Sequence, residues 1–289
     1  MKPIAVQSVF YFNKFKSGQF VQTRSKTMKK TIAIVNKKGG VGKTTTALNL
    51  AAGLSKEGKR ILLIDLDQQA NLSFWLGYEF DGKPTIAEMI MFSVSGMYID
   101  YNTCIRHFSS EGFDYIPALS ASLDGIPSYL AGKNDCTNII KKLLSADDFN
   151  KYDYIIIDCS PSGDLLVANA IAASDRLLIP VQCDIMSYNK VNDILQQLVN
   201  VKNDTDVSKY ILGILGTMYQ KGTTHSKEVY DALKASYGDL VFNTTISHKT
   251  AAKNAVGYHQ SSVKSTAKTN TLGQEYMAVV NEIIERMEG

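Results

Sequence analysis

Lys37-Lys38-Gly39-Gly40-Val41-Gly42-Lys43-Thr44-Thr45 is the stretch that decides the reading of this 289-residue chain. Immediately before it, Thr31-Ile32-Ala33-Ile34-Val35 is a β-branched apolar run of the kind that makes a buried parallel strand. Immediately after it, Thr44 to Leu54 carries Ala, Leu and small residues at helical spacing. A strand, a glycine-rich turn and a helix start in succession form the setting that a phosphate-binding loop requires. Gly39, Gly40 and Gly42 let the backbone approach an anion with no side chain between, and the first N–H groups of the helix point at it. Lys43 is expected to reach the β and γ phosphates of a nucleoside triphosphate, and the Thr44 hydroxyl to ligate Mg2+. The cradle is read as Gly39, Gly40, Val41, Gly42, Lys43, Thr44 and Thr45, and Lys38 is one lysine more than holding a triphosphate needs.

Two later segments share one pattern. Residues 60–71 make an apolar strand that ends in two carboxylates, Asp65 and Asp67, and residues 151–162 make a second apolar strand closed by Asp158. Carboxylates at the C-terminal ends of parallel strands sit where open α/β sheets bind ligands. An aspartate there also serves simply to cap a turn or helix, so neither segment alone is diagnostic. Behind a phosphate-binding loop, the two together point to a ligand site rather than to capping alone.

The loop departs from the general G-x-x-x-x-G-K-[ST] form, because Lys37 stands at its first glycine. What it matches is K-G-G-x-G-K-T, with Lys38 as an additional cation. On these residues the chain resembles the deviant Walker A ATPases of the ParA and MinD class, and the resemblance runs from about Met28 to Glu285. Residues 65–71 are similar to the class motif D-x-D-P-Q-x-N, with Gln68 in place of proline. Residues 151–162 resemble a Walker B strand, with Ser160 in place of a common proline. The resemblance implies an α/β fold: a mostly parallel twisted sheet with helices on both faces.

It also implies ATP and Mg2+ as ligands, and Lys38 reaching across a homodimer to the phosphates of the partner's ATP. Asp67 would position or activate the attacking water, Asp65 would support the metal shell, and Asp158 would hold Mg2+ through water. The implied catalytic set is therefore Lys38, Lys43 and Asp67, and the metal set Thr44, Asp65 and Asp158. A second cation makes physical sense, because phosphoryl transfer is catalysed mainly by positioning and by stabilising charge on the equatorial oxygens. Residues 179–183 follow another apolar strand and residues 213–219 end a further one, and in the class the loops after these strands surround the base and line the dimer interface.

Composition agrees with one large α/β domain. The chain is 45% hydrophobic with six prolines, enough for a substantial core, and helical stretches at 185–202 and 223–236 alternate with apolar strands. No apolar run approaches a membrane-spanning length. Cys104, Cys136, Cys159 and Cys183 form no C-x-x-C pair, which suggests reduced thiols in a cytosolic protein, and Cys159 and Cys183 read as small buried residues. His107, His225, His248 and His259 lack ligand spacing, so no transition-metal or iron–sulfur site is expected. Trp75 reads as a packing residue.

Charge is unevenly placed. No acid precedes Glu57, against eleven Lys and Arg, so residues 1–27 read as a basic N-terminal extension ahead of a 28–289 ATPase domain. That extension is open between an upstream extension of the reading frame, a flexible arm and a nucleic-acid tail. A second basic zone, Leu240 to Gln274, contains no acid, and His248, Lys249, Lys253, Lys264 and Lys268 are its candidate DNA contacts. A solvated surface would have the same composition. The resemblance favours DNA, since partition ATPases bind it without sequence preference through basic residues in this region.

The function implied is that of a cytoplasmic, nucleoid-associated partition ATPase. It would form an ATP-dependent homodimer on non-specific DNA and be stimulated to hydrolyse ATP by a centromere-binding, ParB-like adaptor. The alternatives are a MinD-like positioning ATPase acting on a protein cargo or membrane, and an ATP-switched binding module with little turnover. Gln274 to Gly289 carries Glu275, Glu282, Glu285 and Glu288 against Arg286 alone, a charge that anionic lipid would repel. That segment is therefore expected to dock on its own domain, with no membrane partner.

Overall fold

A computed structural model describes residues 28–248, 259–265 and 269–288. The extension at 1–27 and the candidate DNA contacts Lys249, Lys253 and Lys268 lie outside the described residues.

The apolar runs become strands of one seven-stranded sheet. They are β1 (Lys30–Ile34), β2 (Ile61–Leu66), β3 (Arg106–Phe108), β4 (Phe113–Ile116), β5 (Tyr154–Cys159), β6 (Arg176–Gln182) and β7 (Ile211–Thr217). Their order is β3-β4-β2-β5-β1-β6-β7, and every neighbouring pair is parallel except β3–β4 at the edge. Every residue of β2, β5 and β7 is buried, as strands covered on both faces must be, which explains their largely apolar sequence and makes Asp65 and Asp158 stand out.

Helices cover both faces: α1 (Lys43–Lys56), α2 (Asn71–Trp75), α3 (Ile86–Ser95), α4 (Ser120–Leu123), α5 (Ile126–Ala131), α6 (Ile139–Leu144), α7 (Leu165–Ala173), α8 (Ile185–Lys202), α9 (Thr224–Tyr237) and a C-terminal helix, Thr271–Glu288. On one face, Ile90 of α3, Ile140 of α6, Ile171 of α7 and Ile194 of α8 pack with Ile64 and Ile155 of the sheet. On the other, Leu50 of α1 and Val279 and Ile283 of the C-terminal helix pack with Ile32, Leu63 and Ile156. The C-terminal helix docks on its own domain, as its acidic composition suggested, burying Leu272, Tyr276, Val279, Val280 and Ile283. Among the described residues no helix is long and apolar enough to cross a membrane.

Chain order reverses around β1, which has β5 on one side and β6 on the other. A reversal of this kind opens a crevice at the C-terminal strand ends, where α/β sheets bind ligands. In register, Ile34 of β1 pairs with Asp158 of β5, and Asp158 with Asp65 of β2. Both acids therefore stand beside the loop that leaves β1.

Candidate functional site

The glycine loop joins β1 to α1 in a conformation set by its sequence. Gly40 (φ 76°) and Gly42 (φ 90°) occupy the left-handed region, and Gly42 is the N-cap of α1. A Cβ at either would meet nothing within 4 Å, so backbone conformation rather than space demands glycine here. The loop is fastened at two points. Buried Asn36 donates from Nδ2 to the Pro180 carbonyl at 2.7 Å, and its Oδ1 accepts from the Lys38 N–H at 2.9 Å. Thr217, at the end of β7, donates its hydroxyl to the Val41 carbonyl at 2.8 Å. Sequence reasoning passed over both residues. The one available signal was a polar Asn36 directly after an apolar strand.

Charge is concentrated beneath this loop. Lys43 is only 6% exposed and donates to the Lys38 carbonyl at 3.2 Å. Burial lowers its pKa, against the opposing pull of Asp158, Cys159 and Asp67. Asp158 is wholly buried, and neither of its carboxylate oxygens has a hydrogen-bond partner. Burial first, then the charge of Asp65, pushes the Asp158 carboxyl well above its ordinary value. The Thr44 hydroxyl is close enough to favour the charged form without meeting hydrogen-bond geometry, and Lys43 acts in the same direction.

Asp65 differs from Asp158 in being fully engaged. One oxygen accepts from the Asp67 N–H at 3.1 Å, the other from the Ser73 N–H and hydroxyl at 2.8 and 2.7 Å. Even so, burial pushes its carboxyl up to about 6. Asp67 turns the chain after β2: its Oδ1 accepts from the Gln69 N–H at 3.0 Å and its carbonyl from Ala70 at 2.8 Å. Gln68, at the proline position of the class motif, thus sits in a turn held by aspartate hydrogen bonds.

The glycine loop, Lys43, Thr44, Thr45 and Asp67 line one cavity of about 580 Å3. Its far wall is largely apolar and includes Trp75, Met218, Ile246 and Tyr276. Trp75, read as packing, is half-buried at this wall. Met218 holds φ 51°, a left-handed conformation uncommon for its type. Asp65 and Asp158 lie beneath the cavity rather than on its surface.

Lys38 points elsewhere, toward the junction of β6 and α8, where its ammonium meets Asp184 Oδ2 at 2.6 Å. Of the candidate DNA contacts among the described residues, Lys264 and His248 are both exposed, and His248 also lines the glycine-loop cavity. Cys159 and Cys183 are buried free thiols, as expected.

The donor set fits a P-loop Mg2+ rather than a protein cage. No group of three or more His, Cys, Asp or Glu able to hold a metal occurs among the described residues. Mg2+ does not need one, since it takes one or two carboxylates or hydroxyls and completes its shell with phosphate and water. The unpartnered Asp158 carboxylate near Thr44 offers the protein's share of such a shell.

Comparison with known proteins finds relatives that match most of this chain. A family model for an AAA domain matches residues 29–210. The chain is 33% identical over 259 residues to the chromosome-partitioning ATPase Soj of Treponema pallidum, covering 90% of this chain and 98% of that one. Among solved structures it is similar to a plasmid partition protein of Borrelia burgdorferi, with a TM-score of 0.69, 25% identity, and coverage of 90% of this chain and 100% of that one. It is also similar to the cobyrinic acid a,c-diamide synthase of Mycobacterium smegmatis with bound ATP analogue and magnesium. That match has a TM-score of 0.67 and 30% identity, covering 80% and 91% of the two chains.

Proposed function

The chain belongs to the ParA/Soj family of partition ATPases, and from that premise we propose that it moves plasmid or chromosomal DNA through an ATP-gated cycle of dimerisation, DNA binding and hydrolysis. The observation that carries the ATP half of this reading is Asp158, a buried carboxylate with no hydrogen-bond partner beside a phosphate-binding loop. Ionising a buried, unpartnered carboxyl is costly, and a cation beside it would offset part of that cost. A Mg2+ held here would supply positive charge to offset that developing on the phosphate oxygens.

Thr44 would hold the metal directly and Asp158 through water, with Asp65 bracing the loop that carries Asp67. Lys43 neutralises the β and γ phosphates from within the subunit, and Lys38 serves the phosphates bound by the partner, so ATP joins two copies of the chain. Asp67 orients the attacking water. Its Oδ1 is fixed by the Gln69 N–H, so its orientation is set before substrate arrives. The DNA half of the reading assigns His248, Lys249, Lys253, Lys264 and Lys268 to a phosphate-binding face of the ATP dimer. A centromere-binding, ParB-like adaptor then triggers hydrolysis and release.

Asp67→Ala tests the cycle as a whole. The variant keeps every phosphate contact and loses the group that orients water, so turnover should fall roughly 100-fold or more. ATP dimers should persist and DNA complexes become long-lived. Phosphate release and DNA dissociation, followed together with ATP and Mg2+, check this. Wild-type turnover would move the water-orienting role to another residue.

A further inference from the structure

Lys38 carries three N–H donors on its ammonium, and three acceptors meet it. They are Asp184 Oδ2 at 2.6 Å, the Ser187 hydroxyl at 2.9 Å and Gln182 Oε1 at 3.3 Å. All three acceptors belong to its own subunit, at the end of β6 and the first turn of α8. Asp184 is itself held, because its other oxygen caps α8 by accepting from the Ser187 N–H at 2.7 Å. Burial works to raise the Asp184 carboxyl, yet hydrogen bonds from Lys38 and Ser187 outweigh it and hold the group below its usual range. A lysine satisfied in this way cannot serve a phosphate on another subunit without giving up all three bonds.

We propose that Asp184 is a positioning residue that latches Lys38 in cis and so sets the ATP level at which two copies of the chain join. The inference rests on the reading of Lys38 as the residue that acts across the dimer. In the single subunit the ammonium is parked on the β6–α8 junction. Dimer formation requires its transfer from Asp184 to the partner's ATP, and because the dimer is symmetric two latches open for each dimer formed. A partly exposed ion pair shifts an equilibrium by roughly two- to fivefold. Opening two is therefore worth about tenfold in dimer affinity.

Asp184→Asn is the informative variant, since asparagine still caps the helix while the charge is gone. Two measurements are made on the full chain. Without nucleotide, acylation of Lys38 by an amine-reactive reagent, read by mass spectrometry, should be faster than in wild type. With ATP and Mg2+, the dimer should form at about tenfold lower protein concentration in sedimentation. Ser187→Ala, which removes an uncharged acceptor, should shift both readouts the same way by less. Unchanged Lys38 reactivity, or a dimer no tighter than wild type, overturns the latch. Lys38→Ala separates the two levels of the argument: an ATP dimer of wild-type affinity in that variant overturns the trans role and the latch together. A monomeric Lys38→Ala beside an unaltered Asp184→Asn overturns the latch alone.

Discussion

Asp65 and Asp158, paired in register on β2 and β5, are two buried acids of which only Asp65 is hydrogen-bonded. Burial pushes the Asp65 carboxyl from 3.8 to about 6, and it pushes that of Asp158, with help from Asp65, well above the ordinary range. A carboxyl that holds its proton more tightly when folded gives its full stability below the unfolded pKa and loses it as pH rises through the folded one. For Asp65 the window runs from about 4 to about 6 and the loss is roughly 3 kcal/mol. Asp158 carries the same trend upward in pH. Surface acids such as Asp81 and Asp184 have lowered values and act oppositely, so the informative quantity is the difference between Asp158→Asn and wild type. Without nucleotide, Asp158→Asn should be the more stable, by a margin that grows from pH 4 upward. With ATP and Mg2+ the margin should vanish or reverse, because the cation then compensates the charge. Thermal unfolding across pH with and without nucleotide measures this, and a margin that shrank with pH would refute the account of Asp158.

At the scale of elements, α1 and the C-terminal helix meet at Gly53. A Cβ there would lie 2.6 Å from Val280 Cγ2 and 3.3 Å from Met277 Sδ. Gly53→Ala gains about 1 kcal/mol of helix propensity but meets an overpacking cost of about 1–3 kcal/mol. The chain should lose up to about 2 kcal/mol by denaturant unfolding, and Val280→Ala in the same chain should make the alanine at 53 tolerable. A stabilised Gly53→Ala would show that the helices can separate without cost. Much of this architecture was legible beforehand. The stretch read as helical at 185–202 is α8, that at 223–236 is α9 displaced by one residue, and the long apolar runs are the central strands. What escaped was short or non-local. The three-residue edge strand β3 carries no period, and it is held in part by the Arg106–Asp81 ion pair. Asn36, Thr217 and Asp184 act on the loop from single polar positions, and two of the three are far from it in sequence. Glu275 and Glu282, counted in the sequence only as charge that anionic lipid would repel, accept backbone N–H groups of Ser247 and of Asn243 and Thr244.

Those two glutamates bear on the whole molecule, because they and Glu111 hold the acid-free zone from outside it. Glu111 accepts from the Ser261 N–H at 2.7 Å. Asn49, in the middle of α1, accepts from Ser262 at 2.8 Å and Val263 at 3.2 Å, directly before exposed Lys264. The helix that begins at the phosphate loop therefore also holds the backbone beside a candidate DNA contact, so one rigid element spans both sites. If ATP joins two copies of the chain as proposed, the lysines of the zone double in number. Binding of this kind releases counterions from the phosphate backbone. DNA affinity should therefore be insensitive to sequence and fall with salt, at a log–log slope of about −0.9 per neutralised phosphate. Replacing Lys249 and Lys253 with glutamate should weaken binding to every duplex alike and flatten the slope, while ATP-dependent dimerisation survives. The measurement is DNA affinity against salt, with ATP and Mg2+, for wild type, the double variant, Lys264→Glu and a chain beginning at Met28. Loss confined to the shortened chain would transfer the role to residues 1–27, and unchanged affinity in all three variants would make the acid-free zone a solvated surface with no part in DNA binding.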